Sequence, residues 1–77
     1  GRSLLPSGVR AVGGHFDFGD AVTVNHDGKV VARGLSNYPS DALTKILGLH
    51  SREIAGVLGY KDYDEVIHRD NMVLTDA

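Results

Sequence analysis

Apolar and polar positions alternate most regularly in Ala21-Val22-Thr23-Val24-Asn25 and again from Lys29 to Leu35. β-Branched residues dominate both runs, which suits pleated strands with one face buried. Asp27-Gly28 between them is the favoured dipeptide of a two-residue turn with positive φ at both positions, so the pair is predicted to form an antiparallel hairpin. Gly34 interrupts the second run and is expected to mark either a bulge or a place where another segment packs against the backbone. Upstream, Leu4-Leu5-Pro6-Ser7-Gly8 reads as a short turn or helical turn leading into a strand over residues 9–12, which Gly13 and Gly14 end.

After residue 39 the period changes. Ser40 reads as a helix N-cap with Asp41 in the first turn, Leu43, Ile46 and Leu47 as its apolar stripe, and Gly48 as its stop. Ser51 opens a second short helix in the same way, with Glu53 near its start, Ile54, Ala55, Val57 and Leu58 apolar, and Gly59 closing it. The two stripes are expected to form a helical hairpin packed on the sheet. Residues 60–65 make a polar connector. The last segment, residues 66–74, is strand-like at both ends and polar between them. It reads as a final strand interrupted by a bulge or tight turn at Arg69-Asp70-Asn71, with Asp70 or Asn71 bonding neighbouring backbone amides.

This pattern predicts a mainly β domain with short helices, α+β in class. The 77 residues make one domain, near the size at which a single core only just outweighs the entropy of ordering the chain. Little remains to line a pocket of the roughly 300 Å³ that a drug-sized substrate fills, so no catalytic residue, cofactor site or metal site is assigned. Cysteine is absent, which removes disulfides and thiolate metal sites and suits reducing cytoplasm. No apolar run approaches the ~18 residues that span a bilayer, so no membrane partner is expected. The chain opens Gly1-Arg2-Ser3 and its one methionine is Met72, so it is expected to be a fragment of a larger chain.

The net charge is −2, and the eight Lys and Arg residues are scattered rather than clustered, unlike a surface built to neutralise phosphates. His15, Asp17 and Asp20 have the donor types of a metal site, but no second histidine stands at a ligating interval. His68-Arg69-Asp70 has the letters of a protein-kinase catalytic loop without the glycine-rich loop or downstream Asp-Phe-Gly that such a site requires. Gly13 and Gly14 could turn backbone N–H groups toward a phosphate, although no Walker pattern surrounds them. Of the aromatics, Phe16 and Phe18 are expected in the core. Tyr38, Tyr60 and Tyr63 are more open to a role as a stacking surface for bases.

Several segments together resemble a PUA domain: Leu4-Leu5-Pro6-Ser7-Gly8-Val9, Gly14-His15-Phe16-Asp17-Phe18-Gly19-Asp20-Ala21-Val22, Ala32-Arg33-Gly34-Leu35-Ser36-Asn37-Tyr38 and Leu58-Gly59-Tyr60. The closing Glu65-Val66-Ile67-His68-Arg69-Asp70-Asn71-Met72-Val73-Leu74 is more specific and is similar to the C-terminal PUA domains of the bacterial glutamate 5-kinase family. The resemblance covers residues 3–74, within a single domain of residues 1–77. It implies a β pseudo-barrel decorated by short helices. It also implies a parent enzyme that makes γ-glutamyl phosphate for proline biosynthesis, with ATP and Mg bound by a kinase domain absent from this chain.

On that footing the chain is expected to be a non-catalytic regulatory or interaction module. Its expected partner is its own kinase domain or a neighbouring subunit. The alternative is an RNA-binding PUA domain. The candidate contacts for a partner or RNA are Arg10, Gly13, Gly14, Arg33 and Arg69. Whether the arginines converge on one face, or an exposed apolar patch dominates, discriminates the two readings.

Overall fold

The computed structural model describes residues 3–75. The predicted hairpin is present: strand β1, Ala21–His26, pairs antiparallel with β2, Lys29–Leu35. Asp27 (φ 51°) and Gly28 (φ 78°) form the turn between them. A third strand, β3, Met72–Leu74, pairs antiparallel with the other side of β2, giving the order β1-β2-β3. Short helices complete the α+β architecture: α1, Ser40–Lys45, and α2, Ile54–Leu58, with single 3-10 turns at Pro6–Gly8, Ser51–Glu53 and Arg69–Asn71.

Irregular pairing carries the sheet around the core in the manner of a pseudo-barrel. Leu4 N donates to Ile67 O at 2.9 Å, Val66 N to Leu4 O at 2.7 Å, and Asn37 N to Val66 O at 2.7 Å. The core so enclosed is Tyr38, Ala42, Leu43, Ile46, Ile54, Val66 and Ile67, with Val22, Val24 and Met72 packed against it from the sheet.

Gly34 is a place of close approach, and the bulge lies elsewhere. A Cβ built on Gly34 would stand 2.6 Å from Ile67 Cγ2 and 2.7 Å from Asn71 O. The register instead slips between Val24 and Asn25, which pair with Ala32 and Val30. Val31 is the extra residue. The chain from Ile67 therefore crosses directly over β2 before returning as β3, and only a residue without a side chain admits it there.

Three expectations are corrected. Residues 9–12 form no strand: the half-buried valines, Val9 and Val12, are three residues apart, so no two-residue alternation orients the segment. Neither serine caps its helix. Ser40 lies inside the first turn of α1 after Pro39, and its hydroxyl accepts from Phe16 N at 3.1 Å and faces Phe16 O at 3.2 Å. Ser51 Oγ donates to Asp64 O at 3.0 Å, while Glu53 Oε1 accepts from His50 N at 3.1 Å. At the interruption near residue 70 the tight turn is present, but His68 holds it. Its Nδ1 accepts from Asp70 N at 3.1 Å, and its carbonyl accepts from Asn71 N at 2.8 Å.

Candidate interaction surface

The five candidate contacts fall in three places. Arg10, Gly13 and Gly14 lie along one wall of an open groove of about 1050 Å³, with β1 as the other wall and Phe16, Leu43 and Ile67 among the lining side chains. No backbone hydrogen bond joins residues 10–15 to any other described residue. Gly14 adopts φ 74°. Neither Arg33 nor Arg69 lines this groove. Arg33 sits at the centre of β2, cross-strand from Thr23 on one side and Val73 on the other. Arg69 opens the 3-10 turn before β3, where its backbone N–H donates to Ser3 Oγ at 2.9 Å. None of the three arginines forms an ion pair among the described residues.

An apolar surface appears that the sequence reading did not place. Phe18, expected in the core, is 57% exposed and stacks on Tyr63 with ring centroids 5.7 Å apart. Both rings border a depression of about 300 Å³ together with Leu35, Asn37, His68 and Asn71. Leu35 is 44% exposed at the end of β2, and Val73 on β3 is 70% exposed. Because cross-strand partners share a face, Arg33 and Val73 lie on the same outer side of the sheet as Leu35, two residues along β2. The surface therefore runs from the aromatic pair through Leu35 to Val73, with the Arg33 position among the apolar residues.

Tyr38 is the opposite case. Offered as an open stacking residue, it is 1% exposed. Its hydroxyl donates to Tyr63 O, and Ser36 Oγ donates to Tyr38 O at 2.6 Å. Burial pushes the Tyr38 phenol above its ordinary value, the bond to the Tyr63 carbonyl opposes that, and Tyr60, Asp62 and Asp64 add to the rise. The buried ring thus anchors the backbone that carries Tyr63 to its place on the surface.

Electrostatics around the aromatic pair are acidic. Asp62 and Asp64 flank Tyr63 in the chain, Lys61 pairs with Asp64 at 2.9 Å, and Glu65 Oε2 lies 3.8 Å from His68 Nε2. His68 Nδ1 accepts the Asp70 N–H, which leaves Nε2 as the ring nitrogen that faces Glu65. Carboxylates beside the stack disfavour a phosphate backbone there. The donor set for a metal–nucleotide complex is equally poor. Among the described residues no three His, Asp or Glu side chains stand close enough together to hold a cation, and Asp20 Oδ2 already accepts from Asp17 N at 2.9 Å. No helix among those residues is long and apolar enough to cross a membrane.

The short hairpin, the crossing at Gly34 and the enclosing turns place the molecule in a known class. The PUA domain family model matches residues 1–58, and the chain belongs to that family. Over 77 residues, 99% of this chain, it is 61% identical to the glutamate 5-kinase of Carboxydothermus hydrogenoformans, of which it covers 21%. The corresponding enzymes of Moorella thermoacetica and Caldanaerobacter subterraneus are 53% identical over 75 residues and 52% over 77, with 20% and 21% of their lengths covered. The chain thus spans about a fifth of the length of these relatives.

Proposed function

We propose that the chain is the non-catalytic regulatory or interaction module of a glutamate 5-kinase, acting through contact with the kinase domain of its own chain or of a neighbouring subunit. The observation that carries this reading is the identity of more than half of its residues to a defined fifth of proteins named glutamate 5-kinase. ATP, Mg and glutamate belong in this reading to the other four-fifths, since the side chains present here do not fit an ATP–Mg site. The parent enzyme would work in proline biosynthesis in the cytoplasm. Exposed apolar side chains, rather than converged arginines, support protein contact over RNA contact.

The test has two arms. Residues 1–77 alone should give no glutamate-dependent ADP release in a coupled assay. Removing the matched fifth from the Carboxydothermus kinase should leave measurable turnover with an altered kcat or KM. Turnover by the isolated chain, or complete loss of chemistry in a truncated enzyme that remains folded, would contradict a modulatory role.

A further inference from the structure

We infer that the outer face formed by Phe18, Tyr63, Leu35, Val73 and Arg33 is the surface on which the kinase portion of the longer chain seats, and that the seated surface is apolar with one carboxylate opposite Arg33. This inference rests on the proposed function and assigns that function to one face.

Three observations on different elements converge on this face. The Phe18–Tyr63 stack is a part-apolar platform built from two loops distant in sequence. Aromatic anchors of this kind, ordered before binding, lose little conformational freedom when covered. Tyr63 is held from beneath by the buried Tyr38 hydroxyl, and Leu35 by the ladder that pairs it with Ala21. Leu35 and Val73 extend the platform across the sheet, where solvent-facing strand positions would ordinarily be polar.

Arg33 supplies the charge argument. It stands between Thr23 and Val73 and forms no ion pair among the described residues. Covering such a guanidinium without a partner is costly, so a surface that fits this one brings a carboxylate to it, preferably in the bidentate geometry Arg favours. Relatives about five times as long as this chain supply an occupant of suitable size within the same polypeptide. The acidic residues beside Tyr63 weigh against a nucleic acid in that place.

The experiment compares hydrogen exchange in isolated 1–77 with exchange in a Carboxydothermus glutamate 5-kinase whose matched fifth has been replaced by 1–77. Peptides containing Phe18, Leu35, Tyr63 and Val73 should exchange more slowly in the longer protein, by about tenfold where an amide's opening is coupled to undocking. Arg33→Glu and Leu35→Ser should each abolish that difference while leaving isolated 1–77 folded. Arg33→Glu should change the melting midpoint little because its side chain is exposed, and Leu35→Ser should lower it modestly because part of its side chain is covered. Protection confined to residues 9–16 and β1 would overturn this assignment but leave the proposed function standing. No protection anywhere would overturn both. Persistence of the protected face in Arg33→Glu would remove the carboxylate from the proposal.

Discussion

Residues 34–38 and residues 9–15 border the same core from different sides, and they are held in opposite ways. Along the first stretch Gly34 lies under Ile67 and Asn71, Ser36 is bonded to Tyr38, and Asn37 and Tyr38 are tied to Val66 and Tyr63. Along the second, Val9 and Val12 contribute half-buried side chains while residues 10–15 make no backbone hydrogen bond to other described residues. Both stretches contain glycine and a branched aliphatic residue, so these features of composition do not separate them. The difference is that the first is crossed by a segment some 30 residues later, whereas the second faces an open groove. Stability should be concentrated in the first and nearly absent from the second.

The largest test of that contrast is Gly34→Ala. A methyl group there meets the Ile67 side chain and, less forgivingly, the Asn71 carbonyl oxygen, so the crossing segment must move. Destabilisation of about 3 kcal/mol is expected, at the upper end of the usual cost of overpacking. Urea denaturation measures it. A change below about 1 kcal/mol, within the range of ordinary surface substitutions and mild core swaps, would mean that the crossing is not tight.

Next is Gly28→Val, in the hairpin turn. Nothing lies within 4 Å of a Cβ at Gly28, so packing does not oppose the substitution; φ of 78° does. A β-branched residue held there should cost on the order of 2 kcal/mol through backbone strain alone. The melting midpoint should fall, without the structural rearrangement expected at position 34.

Tyr38→Phe should cost about 1 kcal/mol, the net worth of a typical hydrogen bond, because the ring stays packed while the bond to Tyr63 O is lost. The substitution also has a pH signature. Tyr38 is raised in the folded state, so at pH above the ordinary tyrosine value of 10.0 the unfolded chain gives up the proton first. Its contribution is therefore fully present below pH 10.0 and is lost as pH rises through the folded value. Wild type should lose stability in alkaline solution faster than Tyr38→Phe. Parallel stability curves above pH 10.0 would show that the phenol is not buried in solution.

These contrasts explain which parts of the molecule were legible in its sequence. The hairpin was, because Asp27-Gly28 and two β-branched runs determine it within fifteen residues. The end of α2 at Gly59 was legible for the same local reason, a left-handed backbone at its C-cap, whereas α1 stops at Lys45 with Ile46 as its C-cap, before the expected Gly48. Ser40 and Ser51 misled because their hydroxyls satisfy Phe16 and Asp64, partners the chain supplies only after folding. The exchange of places between Phe18 and Tyr38 has a similar origin. Hydrophobicity ranks Phe as the more buried residue, but the Tyr63 carbonyl gives the Tyr38 hydroxyl a buried partner and so makes its burial acceptable. Among the candidate contacts, Arg10, Gly13 and Gly14 could be grouped from their proximity in sequence. The separation of Arg33 and Arg69 from them is set by strand register and by the turn at His68, neither of which leaves a local signal.

The smallest effects belong to the groove wall, where two adjacent glycines should part company. Gly13 has ordinary negative φ and nothing within 4 Å of a built Cβ, whereas Gly14, equally unobstructed, adopts φ 74°. Alanine at position 13 restricts the unfolded chain without straining the folded one, so it should be neutral or stabilise by up to about 0.5 kcal/mol. Alanine at position 14 must hold a left-handed conformation and should cost about 1 kcal/mol, unless the loop relaxes to avoid it. Relaxation is easier here than at Gly28, because no ladder hydrogen bonds fix the flanking residues. Gly14→Ala should therefore cost less than Gly28→Val although the two φ values are nearly equal. Thermal melts of the three variants side by side decide the matter. If Gly13→Ala destabilised as much as Gly28→Val, residues 10–15 would have to be packed or paired in solution, and the contrast between the two borders of the core would fail.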